Sequence, residues 1–250
     1  MSYRTVAPAV LIAAACFAAV PAPAFAQPGP GQGTAIASSD SVPPRSAISL
    51  RTPIGIEWGT ANENEPRSAL SMSKLYLADY ALRHGDGSAE DRVNAERMIR
   101  YSDDAAADAV EAKYPQAIAV IAAEYGLEQT SPGAGWGTST TSTADLADFL
   151  TAKQTTDPTS PILGWMAIAA PTAADGTRQD WGTATLPGVQ GSKWGWSDMA
   201  PPEVASASFG PGFSVAAHTR GGPADQTADV MGALSEMILD VLGIPPVMVR

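Results

Sequence analysis

Ser71 and Lys74 stand three residues apart in "SALSMSKLYLADYALRHG", a spacing that stacks a hydroxyl above an amine on one face of a helix. A serine hydroxyl is a weak nucleophile until a neighbour takes its proton. A lysine can do so when burial strips the charge from its amine. At a helix start, free backbone N–H groups and the positive end of the dipole also surround the serine oxygen. Taken alone the pair reads as an ordinary surface pair on a helical face, so a catalytic meaning depends on partners elsewhere.

Two segments supply such partners. "YSDDAAAD" (101–108) offers Ser102 ahead of a helical run, and Lys193-Trp194-Gly195 lies in a strand-like segment near the C-terminal end. The chain has four lysines, Lys74, Lys113, Lys153 and Lys193, and only Lys74 and Lys193 have such contexts. This order of three motifs, with a helical block between the second and third, resembles the serine β-lactamase and penicillin-binding protein superfamily. The resemblance spans about Ile54 to Gly243. It implies Ser71 as acyl-forming nucleophile, Lys74 as the group that activates it, and Ser102 as proton relay to the leaving group. It implies Lys193 as the holder of Ser102 that attracts a substrate carboxylate. The backbone N–H groups of Ser71 and Trp196 would form the oxyanion hole, with Asp104, Trp194, Gly195 and Trp196 on the substrate.

Three departures from the family pattern change what is expected. Asp104 stands where the family usually has asparagine; an ionised aspartate cannot donate a hydrogen bond and would favour a charged Lys74. Trp194 replaces the threonine or serine of the third motif, and Trp194, Trp196 and Trp136 either line an apolar cleft or pack in the core. Class A β-lactamases carry a water-activating glutamate on the loop after the helical block. Here no Asp or Glu occurs from Gln129 to Ala144. Deacylation is therefore expected to be slow.

The elements that must hold these groups are legible in outline. "IGIEW" (54–58) reads as a short strand, and a helix follows from about Ser71 to Arg83, stopped by Gly85. Residues 88–170 are helical almost throughout, interrupted by the loop "SPGAGWGTSTTS" (131–142). Ser88 and Ser142 or Thr143 read as caps, Pro115 and Pro161 as first helical residues, and Gly126 as a stop. After Gly176, "GVQGSKWGW", "EVASASFG" and "FSVAAHT" read as consecutive antiparallel strands, and a helix closes the chain over 225–242. The expected fold is α/β (α+β): an antiparallel sheet flanked by N- and C-terminal helices, with an inserted all-helical subdomain, β-lactamase/transpeptidase-like. One domain is expected over 48–250, its α/β part at 48–86 and 177–250 and its helical part at 87–176.

Residues 1–26 read as an export signal: Arg4, an apolar run from Val6 to Val20, and Ala24-Phe25-Ala26 as cleavage site. Residues 27–47 read as a flexible leader rich in Pro, Gly and Ser. Cys16, the one cysteine, falls inside the signal, so no disulfide is expected in the mature chain; Cys16 is also the residue a lipoprotein reading would use. No membrane span is expected after signal cleavage. A formal charge of −11 without a basic cluster excludes a nucleic-acid partner. His84 and His218 lack ligand-type neighbours at metal spacing, so neither a metal nor a cofactor is expected. The whole reads as an exported serine hydrolase, secreted or in the cell envelope, acylated by a peptidoglycan peptide, a β-lactam-like small molecule or a related amide or ester. The alternative is a catalytically weak or inactive protein of the same fold that binds a cell-wall ligand or a protein partner.

Overall fold

The computed structural model describes residues 42–241. The export signal, Cys16, residues 27–41 of the leader, and Leu242 at the end of the last helix lie outside them.

Among the described residues, seven strands and seven α-helices follow in the order β1 (Ser46–Arg51), β2 (Glu57–Gly59), β3 (Arg67–Ser68), α1 (Ser73–His84), α2 (Ala89–Tyr101), α3 (Asp104–Lys113), α4 (Ala117–Tyr125), β4 (Thr140–Thr141), α5 (Thr143–Thr156), α6 (Pro161–Ala167), β5 (Gly191–Trp196), β6 (Val204–Gly210), β7 (Phe213–Thr219) and α7 (Pro223–Val241). The main sheet is antiparallel throughout, in the order β2-β1-β7-β6-β5; β3 and β4 form a separate pair.

Strand alternation decides what each face of the sheet meets. Ile48, Leu50, Val215 and Ala217 point to one side and pack with Val230, Ala233 and Met237 of α7. Ala205, Ala207, Phe209 and Ala216 point to the other and join the core of the helical lobe, with Leu75, Met98, Ile121, Phe149 and Ile162. The result is three layers, with α7 on one face and helices α1 to α6 on the other. Burying both faces of the sheet removes apolar area from water at roughly 25 cal/mol per Å².

Several boundaries move from the sequence reading. The leader does not extend to residue 47, because β1 begins at Ser46 and pairs with both β2 and β7. "SAISLR" has only two large apolar residues, and its burial comes from the partners it meets. The strand read at 54–58 is confined to Glu57–Gly59. Helix α4 starts two residues beyond Pro115, and Gly126 ends it in the left-handed conformation at φ 67°, where glycine has no Cβ penalty. Ser88 and Ser142 cap α2 and α5 through the amides of Asp91 and Asp145.

Candidate active site

Ser71 sits in a single 3-10 turn, Leu70–Met72, that leads straight into α1. Leu70 has φ 52°, a left-handed conformation that costs a leucine about 1–2 kcal/mol. The surrounding packing holds it there. Edge strand β5 runs against this turn, and a Cβ at Gly195 would lie 2.8 Å from the Ser71 amide nitrogen. Only glycine permits that approach.

From the first turn of α1, Lys74 reaches back to the hydroxyl. Its Nζ lies 2.9 Å from Ser71 Oγ, 2.7 Å from the Ser102 carbonyl oxygen and 2.5 Å from Asp104 Oδ1. The Ser102 carbonyl and the Asp104 carboxylate can only accept hydrogen bonds. A neutral amine would spend its two N–H groups on them and turn its lone pair to the Ser71 hydroxyl. Lys74 is fully buried, and that burial lowers its pKa although Asp104 raises it.

Ser102 is the left-handed C-cap of α2, at φ 52° and ψ 33°. The helical run that follows it is capped by Asp103, which accepts from the Ala106 amide. The left-handed turn frees the Ser102 side chain, and its Oγ accepts a 2.7 Å hydrogen bond from Lys193 Nζ. Lys193 is fully buried, also donates to the Trp194 carbonyl at 2.9 Å, and has its pKa driven well down by burial and then by the charge of Lys74. Ser71, Lys74, Ser102 and Lys193, drawn from three separate segments, thus form one connected group.

Alternation in β5 turns Lys193 and Gly195 toward Ser71 and turns Trp194 to the opposite face. There Trp194 packs with Trp181 and Val204 and donates its indole N–H to the Trp181 carbonyl at 2.9 Å. The substrate-contact expectation for Trp194 therefore gives way to the packing one. Trp196, at the end of β5 on the same side as Trp194, packs against that cluster too, and it lines the cleft over Ser71 with Trp136, Asp104, Asp175, Asp198 and Met199, in a volume of about 210 Å³. Three of its lining residues are carboxylates, so it is not the apolar cleft that is one of the two readings of the tryptophans.

Trp136 belongs to a second 3-10 turn, Trp136–Thr138, in the loop without carboxylates. Its ring lies over Lys74, 4.3 Å from Nζ to the centroid, and its indole N–H donates to Asp108 at 2.8 Å. An indole thus stands over the lysine from a loop that has no Asp or Glu between Gln129 and Ala144. Asp175 and Asp198 escaped the sequence reading because they lie in turns with no motif. Only the fold brings them to the Ser71 cleft. A larger hollow of about 270 Å³ beneath α7, lined by Leu50, Leu186, Phe213 and Met237 among others, presents no titratable group among the described residues. Among the described residues no cluster of His, Cys, Asp or Glu has the geometry to hold a metal ion, and no helix is long and apolar enough to cross a membrane.

No protein-family model matches the chain, and no curated protein sequence matches it either. Solved structures do. A β-lactamase from Chitinophaga pinensis aligns with a TM-score of 0.61 at 13% identity, covering 79% of this chain and 93% of that one. A penicillin-binding protein from Listeria monocytogenes in its cefotaxime-bound form aligns at 0.56 and 15%, over 78% and 96%. A D-alanyl-D-alanine carboxypeptidase from Mycobacterium tuberculosis aligns at 0.55 and 16%, over 86% and 96%.

Proposed function

We propose that this chain, which has the fold of the serine β-lactamases and penicillin-binding proteins, is an exported serine hydrolase acylated on Ser71 and slow to release the acyl group. The observation that carries the reading is Lys74 Nζ at 2.9 Å from Ser71 Oγ, with Ser102 and Lys193 completing the group. Ser71 Oγ attacks the carbonyl carbon of an amide or ester, and its proton passes to the Lys74 amine. The oxyanion sits against the backbone N–H groups of Ser71 and Trp196, each worth roughly 3 kcal/mol in the transition state. As the carbonyl carbon's bond to the leaving group breaks, Ser102 Oγ gives its proton to that group and is reprotonated from the amines. In net, the Ser71 proton ends on the leaving group.

Hydrolysis of the acyl-enzyme then needs an activated water. Residues 129–144 offer no carboxylate for this, and Trp136 covers Lys74, so the intermediate should persist. The acyl donor of this reading is a wall peptide, a β-lactam-like molecule or a related amide or ester, and the signal-like residues 1–26 support a site of action in the cell envelope or outside the cell. A second reading, a ligand-binding protein of the same fold with little or no catalysis, is favoured by the 2.5 Å contact of Asp104 on Lys74.

A chromogenic neutral ester such as p-nitrophenyl acetate separates the two. The expected result is a burst of nitrophenolate equal to the protein concentration, then turnover far slower than the burst, with no burst in Ser71→Ala. Absence of a burst in the wild-type chain supports the binding reading. Fast steady turnover refutes the inference drawn from the loop.

A further inference from the structure

The charge of the cleft points away from the substrates that the fold usually handles. Among the described residues that line it, Asp104, Asp175 and Asp198 are carboxylates and none is a lysine or arginine. Lys74 partners Asp104. Asp175 accepts only neutral donors, the Trp196 indole N–H at 3.0 Å and the Thr177 amide at 2.8 Å, and Asp198 has no ion-pair partner among the described residues. Nothing here would welcome a substrate carboxylate. The Lys193 amine is fully buried and already committed to Ser102 and the Trp194 carbonyl, and the hydroxyl of the usual third motif is replaced by an indole on the far face of β5.

Carboxylates alone would mean little at a protein surface. These share a cleft with a reactive serine and with Trp196, partly buried against Trp181, Trp194 and Val204, while the Trp136 ring already lies over Lys74; an indole beside carboxylates without an ion-pair partner is an arrangement suited to an organic cation. Trp196 is half-buried and tied to Asp175 through its N–H, so one ring and one charge are held together at the mouth of the cleft. We infer that the Ser71 cleft selects cationic acyl donors, esters or amides carrying an alkylammonium group, over anionic ones, with Trp196, Asp175 and Asp198 as the specificity determinants. The inference rests on Ser71 being the acyl-accepting nucleophile.

Three p-nitrophenyl esters of equal chain length test it, one ending in trimethylammonium, one in a methyl group and one in a carboxylate. Acylation of Ser71 is followed by nitrophenolate release at low and moderate ionic strength. The cationic ester should acylate roughly tenfold faster than the neutral one, and the anionic ester roughly tenfold slower. Added salt should shrink the spread, and so should the double variant Asp175→Asn/Asp198→Asn. Equal rates, a faster anionic ester, or a spread that survives the double variant would overturn the selectivity while leaving the nucleophile intact. If none of the three acylates the protein, the nucleophile reading fails instead, and equilibrium binding decides the charge preference. Tetramethylammonium should then quench tryptophan fluorescence at lower concentration than acetate, and the reverse order would overturn the inference.

Discussion

At the scale of single residues, the site turns on which groups keep a proton. Lys74 and Lys193 are both buried, and burial lowers both pKa values. As pH rises through the lowered Lys74 value the amine becomes neutral and able to accept the Ser71 proton. The acylation rate should therefore rise with pH, with a midpoint below the ordinary lysine value of about 10.4. Asp104 works against this by favouring the ammonium. Asp104→Asn should move the midpoint to still lower pH and raise the rate near neutrality. A midpoint that stays put or moves upward would show that Asp104 does not control the Lys74 proton. The pairing of Ser71 with Lys74, and of both with Lys193, was legible because lysine is scarce and two of four fall in recognisable contexts. Scarcity had a limit as a guide. Lys153 is also fully buried, yet it pairs with Asp79 at 2.7 Å and Asp157 at 2.6 Å in an ion cluster away from the cleft.

At the scale of elements, the site is an agreement between one turn and one strand. The turn at Leu70–Met72 and β5 meet so closely that Gly195 has no room for a side chain. Gly195→Ala must push the strand off or displace Ser71, at a cost of about 1–3 kcal/mol in stability. It should also cost at least roughly tenfold in acylation, since a displacement of about 1 Å at a reacting group can cost a hundredfold. Normal acylation in a fully folded Gly195→Ala protein would mean that β5 does not fix the nucleophile. The strands after Gly176 and the caps at Ser88 and Ser142 could be read from the chain because their signals are local. The role of Trp194 could not. Whether a strand residue faces the cleft or the opposite side depends on register against β6, which pairs Trp194 with Ser206. Strand β1 was hidden for a related reason, since small and polar residues in "SAISLR" become buried only between β2 and β7.

At the scale of the whole molecule, charge and burial set how the fold responds to acid. His218, on β7, is buried with neither ring nitrogen hydrogen-bonded, and its pKa is pushed down to about 3 by burial and then by Arg67. In the unfolded chain it would titrate near 6.5. Stability from the neutral ring is thus present in full above about pH 6.5 and is lost as pH falls toward 3. The loss is on the order of 4 kcal/mol across that window. Urea unfolding at pH 7 and pH 4.5 should show a drop that is much smaller in His218→Leu. An equal drop in the variant would place the acid sensitivity elsewhere. The layered fold itself was legible from the order of strand, helix, helical block, strands and helix. The acidic mouth of the cleft was not, because Asp104, Asp175 and Asp198 are far apart in the chain. The most direct measurement is intact-protein mass after incubation with p-nitrophenyl acetate, followed by peptide mapping of the product. One acyl group per chain, on the peptide containing Ser71 and absent from Ser71→Ala, is the predicted result; an unmodified chain, or an acyl group on any other residue, would contradict it.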